Sequence, residues 1–97
     1  MQLTRTSPSQ ITITGNIKST DDYLAIRAMA SELVAQGAAS IHLAILDSLS
    51  MPSSVIGFFV KLVNRDKIPL TMAIHDPRLL ELLEELSLDQ LFGARKG

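Results

Sequence analysis

Two short runs, SIHLAIL at 40–46 and IPLTMAIH at 68–75, constrain the fold of this chain most. The first is nearly all apolar. A strand whose faces are both covered reads this way, so it is expected at the centre of a sheet with both faces buried. The second reads as another largely buried strand. Helix-length segments lie between the strands, and such an alternation implies crossover connections and a sheet with a parallel part.

The remaining elements follow from period and punctuation. QITITG at 10–15 alternates strictly, with Ile11 and Ile13 on one face and Thr12 and Thr14 on the other, as in a half-buried strand. MQLTRT before it alternates more weakly and is interrupted by Pro8, which suits an edge strand or half of a hairpin. A helix is predicted over 19–37. Ser19 or Thr20 caps it, Asp21 and Asp22 suit its positive end, and Gly37 ends it. Tyr23, Ile26, Ala30, Leu33 and Val34 share one face of it at helical spacing. DSLSMP at 47–52 is a loop, and a second helix runs from about Ser53 to Asn64. Asp76 caps a third, which has Pro77 in its first turn and runs to about Ser87. LDQLF at 88–92 closes as a short turn or strand, and the basic tail ARKG is expected to fray. The fold class is therefore α/β: a mixed sheet of about four strands, part of it parallel, with three to four helices.

Bulk properties narrow the function. A chain of 97 residues is read as one domain, residues 1–97, long enough to fold alone. A formal charge of -1 gives no reason to expect nucleic acid, which calls for a basic face. The absence of cysteine removes disulfides, thiol nucleophiles and thiolate metal sites together. MQLTRTSPSQ lacks the apolar core of a signal peptide, and VIGFFV at 55–60 is too short to span a bilayer. The expectation is a soluble cytoplasmic domain with no membrane partner.

Three stretches carry a resemblance: ITITGNI, then LDSLSMPSSVIGFFVKL, then LLELLEELSLDQLF. From about Gln10 onward the chain resembles the STAS family, the sulfate transporter and anti-sigma factor antagonist domains. Gly15 ends the first buried strand like the glycine of the family's G-E-L-D segment. MPSSVIG at 51–57 looks like its M-D-S-S-G-L-G, and L-x-x-L-F at 88–92 is similar to its closing segment. The resemblance implies a STAS-like fold, with the helices packed mainly on one face of the mixed sheet, and a non-enzymatic partner-switching regulator in bacterial signal transduction. In such regulators the second serine of D-S-S-G is phosphorylated by a GHKL-type serine kinase that often doubles as the anti-sigma factor, and a cognate phosphatase reverses the mark. That serine corresponds to Ser54, with Ser53 before it. The sequence departs from the pattern at Pro52 and Val55, which replace the family's aspartate and glycine, and at Asn16 and Lys18, which replace its glutamate and aspartate.

A phosphate on Ser54 would add roughly -1.5 to -2 charges in the first turn of the second helix, where an anion is well accommodated. The expected effect is on the surface rather than on the fold. Lys18 is a candidate to hold such a phosphate if the Gly15–Lys18 loop lies nearby, as the resemblance implies. Ile56, Phe59, Val60 and Val63 form one apolar stripe that suffices to cover the sheet, while Val55, Phe58 and Leu62 form another, read as turned outward. Gly57 is expected to allow close packing against the sheet. The partner surface is thus Asn16, Lys18, Ser50, Met51, Ser53, Ser54, Val55, Phe58 and Leu62, and the second stripe leaves monomer and weak dimer both open. The plainer readings are that Ser53 and Ser54 only cap and start a helix, and that the domain is a scaffold or small-ligand sensor. Pro52 and Val55 favour the latter.

Other candidates carry less. His42 and His75 lack ligand spacing or a surrounding carboxylate constellation, so no metal is expected. Glu81, Glu84 and Glu85 read as a solvated helix face pairing with Arg78. Asp47 and Ser48 follow the central strand, where α/β folds often bind small ligands. No glycine-rich phosphate loop and no catalytic constellation is present, so neither cofactor nor enzyme activity is expected.

Overall fold

The computed structural model describes all of residues 1–97. In chain order its elements are β1 (Gln2–Ser7), β2 (Gln10–Thr14), α1 (Thr20–Ala35), β3 (Ile41–Ile45), α2 (Ser53–Asn64), β4 (Leu70–Ile74), α3 (Pro77–Glu85) and β5 (Ala94–Lys96). They form one five-stranded sheet in the order β1-β2-β3-β4-β5. β1 and β2 make an antiparallel hairpin with a bulge between Arg5 and Ser7, and β2 through β5 are parallel.

Strand register sets the layers. Ile11, Leu43 and Met72 stand side by side across β2, β3 and β4, and Ile13, Ile45 and Ile74 form a second row. All six are buried. Each parallel strand lies next to its predecessor in the same direction, so right-handed crossovers bring α1, α2 and α3 to one face. The opposite face carries Thr12, His42, Ala44, Thr71 and Ala73, none of them fully buried. This corrects the expectation for β3, which has one covered face. Ala44 extends the apolar run without belonging to the core, and beneath it the alternation of Ile41, Leu43 and Ile45 with His42 and Ala44 is intact.

One cluster of 19 buried apolar residues fills the space between the sheet and the helices. α1 contributes Ile26, Ala30 and Leu33, and α3 contributes Leu79 and Leu83. Phe59 of α2 meets Phe92 edge-on, with ring centroids 6.0 Å apart, a favoured aromatic geometry.

The strand count and the C-terminus differ from expectation. Ala94–Lys96 form a fifth strand, paired in register with Met72, Ala73 and Ile74. The tail is therefore part of the sheet. Gly93 makes this possible. Its φ is +56°, and a Cβ there would lie 2.7 Å from the Leu70 carbonyl oxygen. Only glycine meets both demands without strain.

α1 is capped as expected. The Ser19 hydroxyl accepts from the Asp22 N–H at 3.1 Å, and Asp22 Oδ2 accepts in return from the N–H groups of Ser19 and Lys18 at 3.2 and 3.0 Å. The backbone bonds from Lys18 and Ser19 hold the Asp22 carboxyl below its ordinary value of 3.8.

Two outcomes follow. Gly93→Ala is expected to destabilise the fold by about 2 kcal/mol or more, from left-handed strain plus overlap with Leu70. Urea unfolding monitored by circular dichroism measures this, and an unchanged midpoint would contradict the role given to Gly93. Asp22 titrates lower folded than unfolded, so its contribution is complete above the ordinary carboxylate range and is lost as pH falls through the folded value. Asp22→Asn should therefore show a shallower fall in Tm than wild type as the pH is lowered from about 5 through the carboxylate range.

Candidate functional site

The loops after β2 and β3 leave the same end of two adjacent parallel strands, the end at which open α/β sheets present ligand-binding loops. Three hydrogen bonds stitch them together. The Gly15 N–H donates to Asp47 Oδ2 at 3.2 Å, the Ile17 N–H to Ser48 Oγ at 3.1 Å, and the Leu49 N–H to Asn16 Oδ1 at 3.0 Å. Ser48 also donates to the Ser50 carbonyl at 2.6 Å. Ser48 is the one buried polar residue of the chain, and both roles of its hydroxyl are satisfied. Gly15 enters the loop at a φ of +79°, with the Met1 backbone 3.1 Å from where a Cβ would sit. Asp47 and Ser48, read from sequence as ligand contacts, hold the loops; the Ser48 hydroxyl is fully used there, while Asp47 is exposed with only Oδ2 bonded.

The loop after β3 ends at Pro52, which takes the N-cap position of α2 and offers no side-chain bond. The Pro52 carbonyl accepts from the N–H groups of Val55 and Ile56, each at 3.0 Å. Ser53 and Ser54 are thus the first two helical residues. Both are exposed, and neither hydroxyl makes a hydrogen bond within the chain. Their backbone N–H groups also lack an internal partner, as is usual in a first helical turn. Capping does not account for these serines, since Pro52 stands in the capping position.

The two stripes of α2 are not divided as the sequence suggested. Val55, Phe59 and Leu62 are the buried residues, while Ile56, Phe58, Val60 and Val63 are half-buried. Val55 and Leu62, expected to face outward, sit in the core, and Met51 beside them is 4% exposed. The apolar residues cover most of the circumference, but Ser53, Ser54, Gly57, Lys61 and Asn64 share one face, and the buried residues lie opposite that polar stripe. Phe58 alone of the proposed outer stripe reaches the surface, where it meets Tyr23 of α1 edge-on at 6.5 Å. Gly57 also departs from expectation. It is exposed, and a Cβ there would meet nothing within 4 Å.

The space beside Gly57 belongs to a groove of about 390 Å³ between α1 and α2. Tyr23, Arg27 and Ser31 line it from α1, and Ser54, Gly57, Phe58 and Lys61 from α2, with Asp66 at one end. Nothing in the sequence flagged this groove. The residues of each wall recur at helical spacing, but pairing the walls requires the crossover topology. Leu46 and Leu49, each 40% exposed, stand on the loop after β3 and were also not singled out.

Of the remaining expected surface, Asn16, Lys18 and Ser50 are exposed. Asn16 orients the loops through its side chain, and the Lys18 ammonium makes no ion pair, since the chain's one salt bridge joins Arg78 to Asp76 at 2.9 Å. That bridge is a correction as well. Arg78 turns back to the capping carboxylate rather than pairing with Glu81, Glu84 or Glu85. Its two side-chain bonds lower the Asp76 pKa and raise its own. His42 places Nδ1 2.6 Å from Thr71 Oγ1, and His75 places Nδ1 3.3 Å from the Gly97 carbonyl. No group of three His, Cys, Asp or Glu side chains is arranged to hold a metal ion. No helix is long and apolar enough to cross a membrane.

The fold and loops define an α/β domain with a one-sided mixed sheet and its loop cluster at the C-terminal ends of β2 and β3. Comparison with protein-family models, with curated proteins and with solved structures finds no match to this chain.

Ser48→Ala tests the loop architecture. It leaves the buried Ile17 N–H without an acceptor, a loss of about 1–3 kcal/mol. Hydrogen exchange should show faster exchange at the Ile17 amide than at the core strand amides. Unchanged protection at Ile17 would contradict the role assigned to Ser48.

Proposed function

We propose that this chain is a STAS-type, non-enzymatic partner-switching regulator, an anti-sigma factor antagonist-like protein controlled by phosphorylation at Ser54, with Ser53 as the neighbouring acceptor. The observation that carries the reading is the state of the two serines. They are exposed, free of capping bonds, and set at the first turn of an apolar helix beside a hydrogen-bonded loop pair. A hydroxyl tied up in a cap would be a poor acceptor for a transferred phosphoryl group.

The partner in this reading is a GHKL-type serine kinase or anti-sigma factor, with a cognate phosphatase acting on the modified form. The docking surface is revised by burial. Asn16, Lys18, Ser50, Ser53, Ser54 and Phe58 remain, Leu46 and Leu49 join them, and Met51, Val55 and Leu62 leave. Two exposed leucines beside polar loops supply the apolar contact that serines alone lack. A phosphate on Ser54 adds a strongly hydrated dianion at the rim of that surface, and desolvating it opposes docking. The second reading, a scaffold or small-ligand sensor on the same fold, is favoured by Pro52 in place of an acidic residue before the serines.

Wild type and Ser54→Asp used as paired baits in source-cell lysate distinguish the two. The switch reading expects an ATP-binding kinase-like protein on wild type and at least a ten-fold loss on Ser54→Asp, about 1.4 kcal/mol. Leu49→Glu should weaken the same capture. Equal capture by all three baits favours the scaffold. Incubation of the purified pair with ATP should raise the intact mass by one phosphate, localised to Ser54 by fragmentation.

A further inference from the structure

The α1–α2 groove has a chemistry that the reading of Ser54 does not use. Arg27 and Lys61 face it from opposite walls. Neither makes a salt bridge, for the chain's one ion pair is Arg78 with Asp76. Neither side chain makes a hydrogen bond within the chain, and Asp66, the groove's one carboxylate, lies beyond 4 Å of both cations. Two cationic residues without an ion pair, two serines and the edge-to-face pair of Tyr23 and Phe58 therefore line one space.

We propose that this groove is a binding site for a phosphate monoester, with Arg27 and Lys61 as its anion-binding residues. The guanidinium offers a planar fork matched to phosphate oxygens, and the ammonium adds a point charge from the opposite wall. The phosphate reaches the groove from one of two sources. It is carried on Ser54 itself, or it arrives on a small molecule whose organic part rests on Tyr23 and Phe58. The Ser54 source rests on the switch reading, whereas the free source does not.

The backbone favours the tethered route as well. Ser54, Gly57 and Lys61 follow one another at i, i+3 and i+7, and helical side chains lean toward the helix N-terminus. Lys61 thus leans back over the turn that holds Gly57, toward Ser54. The two Cα positions are about 10 Å apart along the axis, and because Ser54 leans the same way, most of that span falls to the extended lysine. A side chain at Gly57 would stand between them, and that position is open. The missing Cβ, which serves no packing, finds its use here.

Two arms of one experiment test the proposal and separate the sources. In the first, inorganic phosphate and phenyl phosphate are titrated into unmodified protein at constant ionic strength, followed by 1H–15N spectra. In the second, phosphoserine is genetically encoded at position 54, without need of any kinase, and its second pKa is read by 31P NMR. Each arm compares wild type with the Arg27→Gln/Lys61→Gln pair and with Arg65→Gln/Lys67→Gln, which removes the same charge outside the groove.

Saturable shifts at groove residues that weaken at least ten-fold in the Arg27/Lys61 pair, and not in the control pair, establish a site for free phosphate monoesters. A phosphoserine pKa about half a unit to one unit lower in wild type than in the Arg27/Lys61 pair, with the control pair close to wild type, establishes the tethered source. The helix N-terminus acts equally in all three proteins and cancels. No saturable titration together with the same phosphoserine pKa in all three proteins overturns the proposal. The switch reading fails differently, through unchanged partner capture by Ser54→Asp, so either can fall alone.

Discussion

The register between β2, β3 and β4 is the constraint on which this molecule rests. It aligns Ile11 with Leu43 and Met72, and Ile13 with Ile45 and Ile74, so that one face of the sheet is a continuous apolar floor. A slip of one residue would bring Thr12, His42 and Thr71 to that floor and expose the isoleucines. Every helix must dock there, because it is the one face able to bury them. α2 lies over it through Val55, Phe59 and Leu62, and that rotation carries Ser54, Gly57 and Lys61 to the side facing α1. The groove that Ser54, Gly57 and Lys61 line is a by-product of where the core demanded the apolar residues.

Parallel pairing also brings the loops after β2 and β3 together at one end. Such loops carry polar backbone that needs partners. The chain meets the need with three short side chains, Asp47, Ser48 and Asn16, that reach across. The result is a firm platform on which the exposed side chains of Ser53, Ser54, Leu46 and Leu49 carry no hydrogen bond within the chain. Burial of Ser48 shows how the work is divided, with its hydroxyl spent on structure and those of Ser50, Ser53 and Ser54 left without a partner in the chain.

Much of this was legible in the sequence, and the misses have physical causes. The hairpin, the three helices and the N-caps of α1 and α3 follow from alternation, Ser19 with Asp22, and Asp76 with Pro77. The rotation of α2 was misread from its apolar residues, although the small and polar stripe of Ser54, Gly57, Lys61 and Asn64 marks the exposed face and the core residues lie opposite it. β5 was missed because Ala94, Arg95 and Lys96 carry no strand pattern; pairing with β4 and the turn at Gly93 create that strand. Arg78 was assigned to glutamates at helical spacing, yet a carboxylate already fixed as a cap two residues away is the nearer and less mobile partner. Of the site, Ser53, Ser54, Asn16, Lys18 and Ser50 are exposed as expected, whereas the groove with Arg27 and Lys61 depends on a helix pairing that no local signal reveals.

The bulge between Arg5 and Ser7 bears on how this protein meets its own copies. A sheet has two rims whose backbone groups are half unused, and each can template the addition of another chain. At the β1 rim the ladder is broken by the bulge, followed at once by Pro8 and preceded by a cationic side chain. At the other rim β5 is three residues long and two of them are basic. Neither rim offers the long, regular, uncharged ladder that fibril growth requires, so a crowded solution of this protein is guarded against end-to-end polymerisation by its outermost strands.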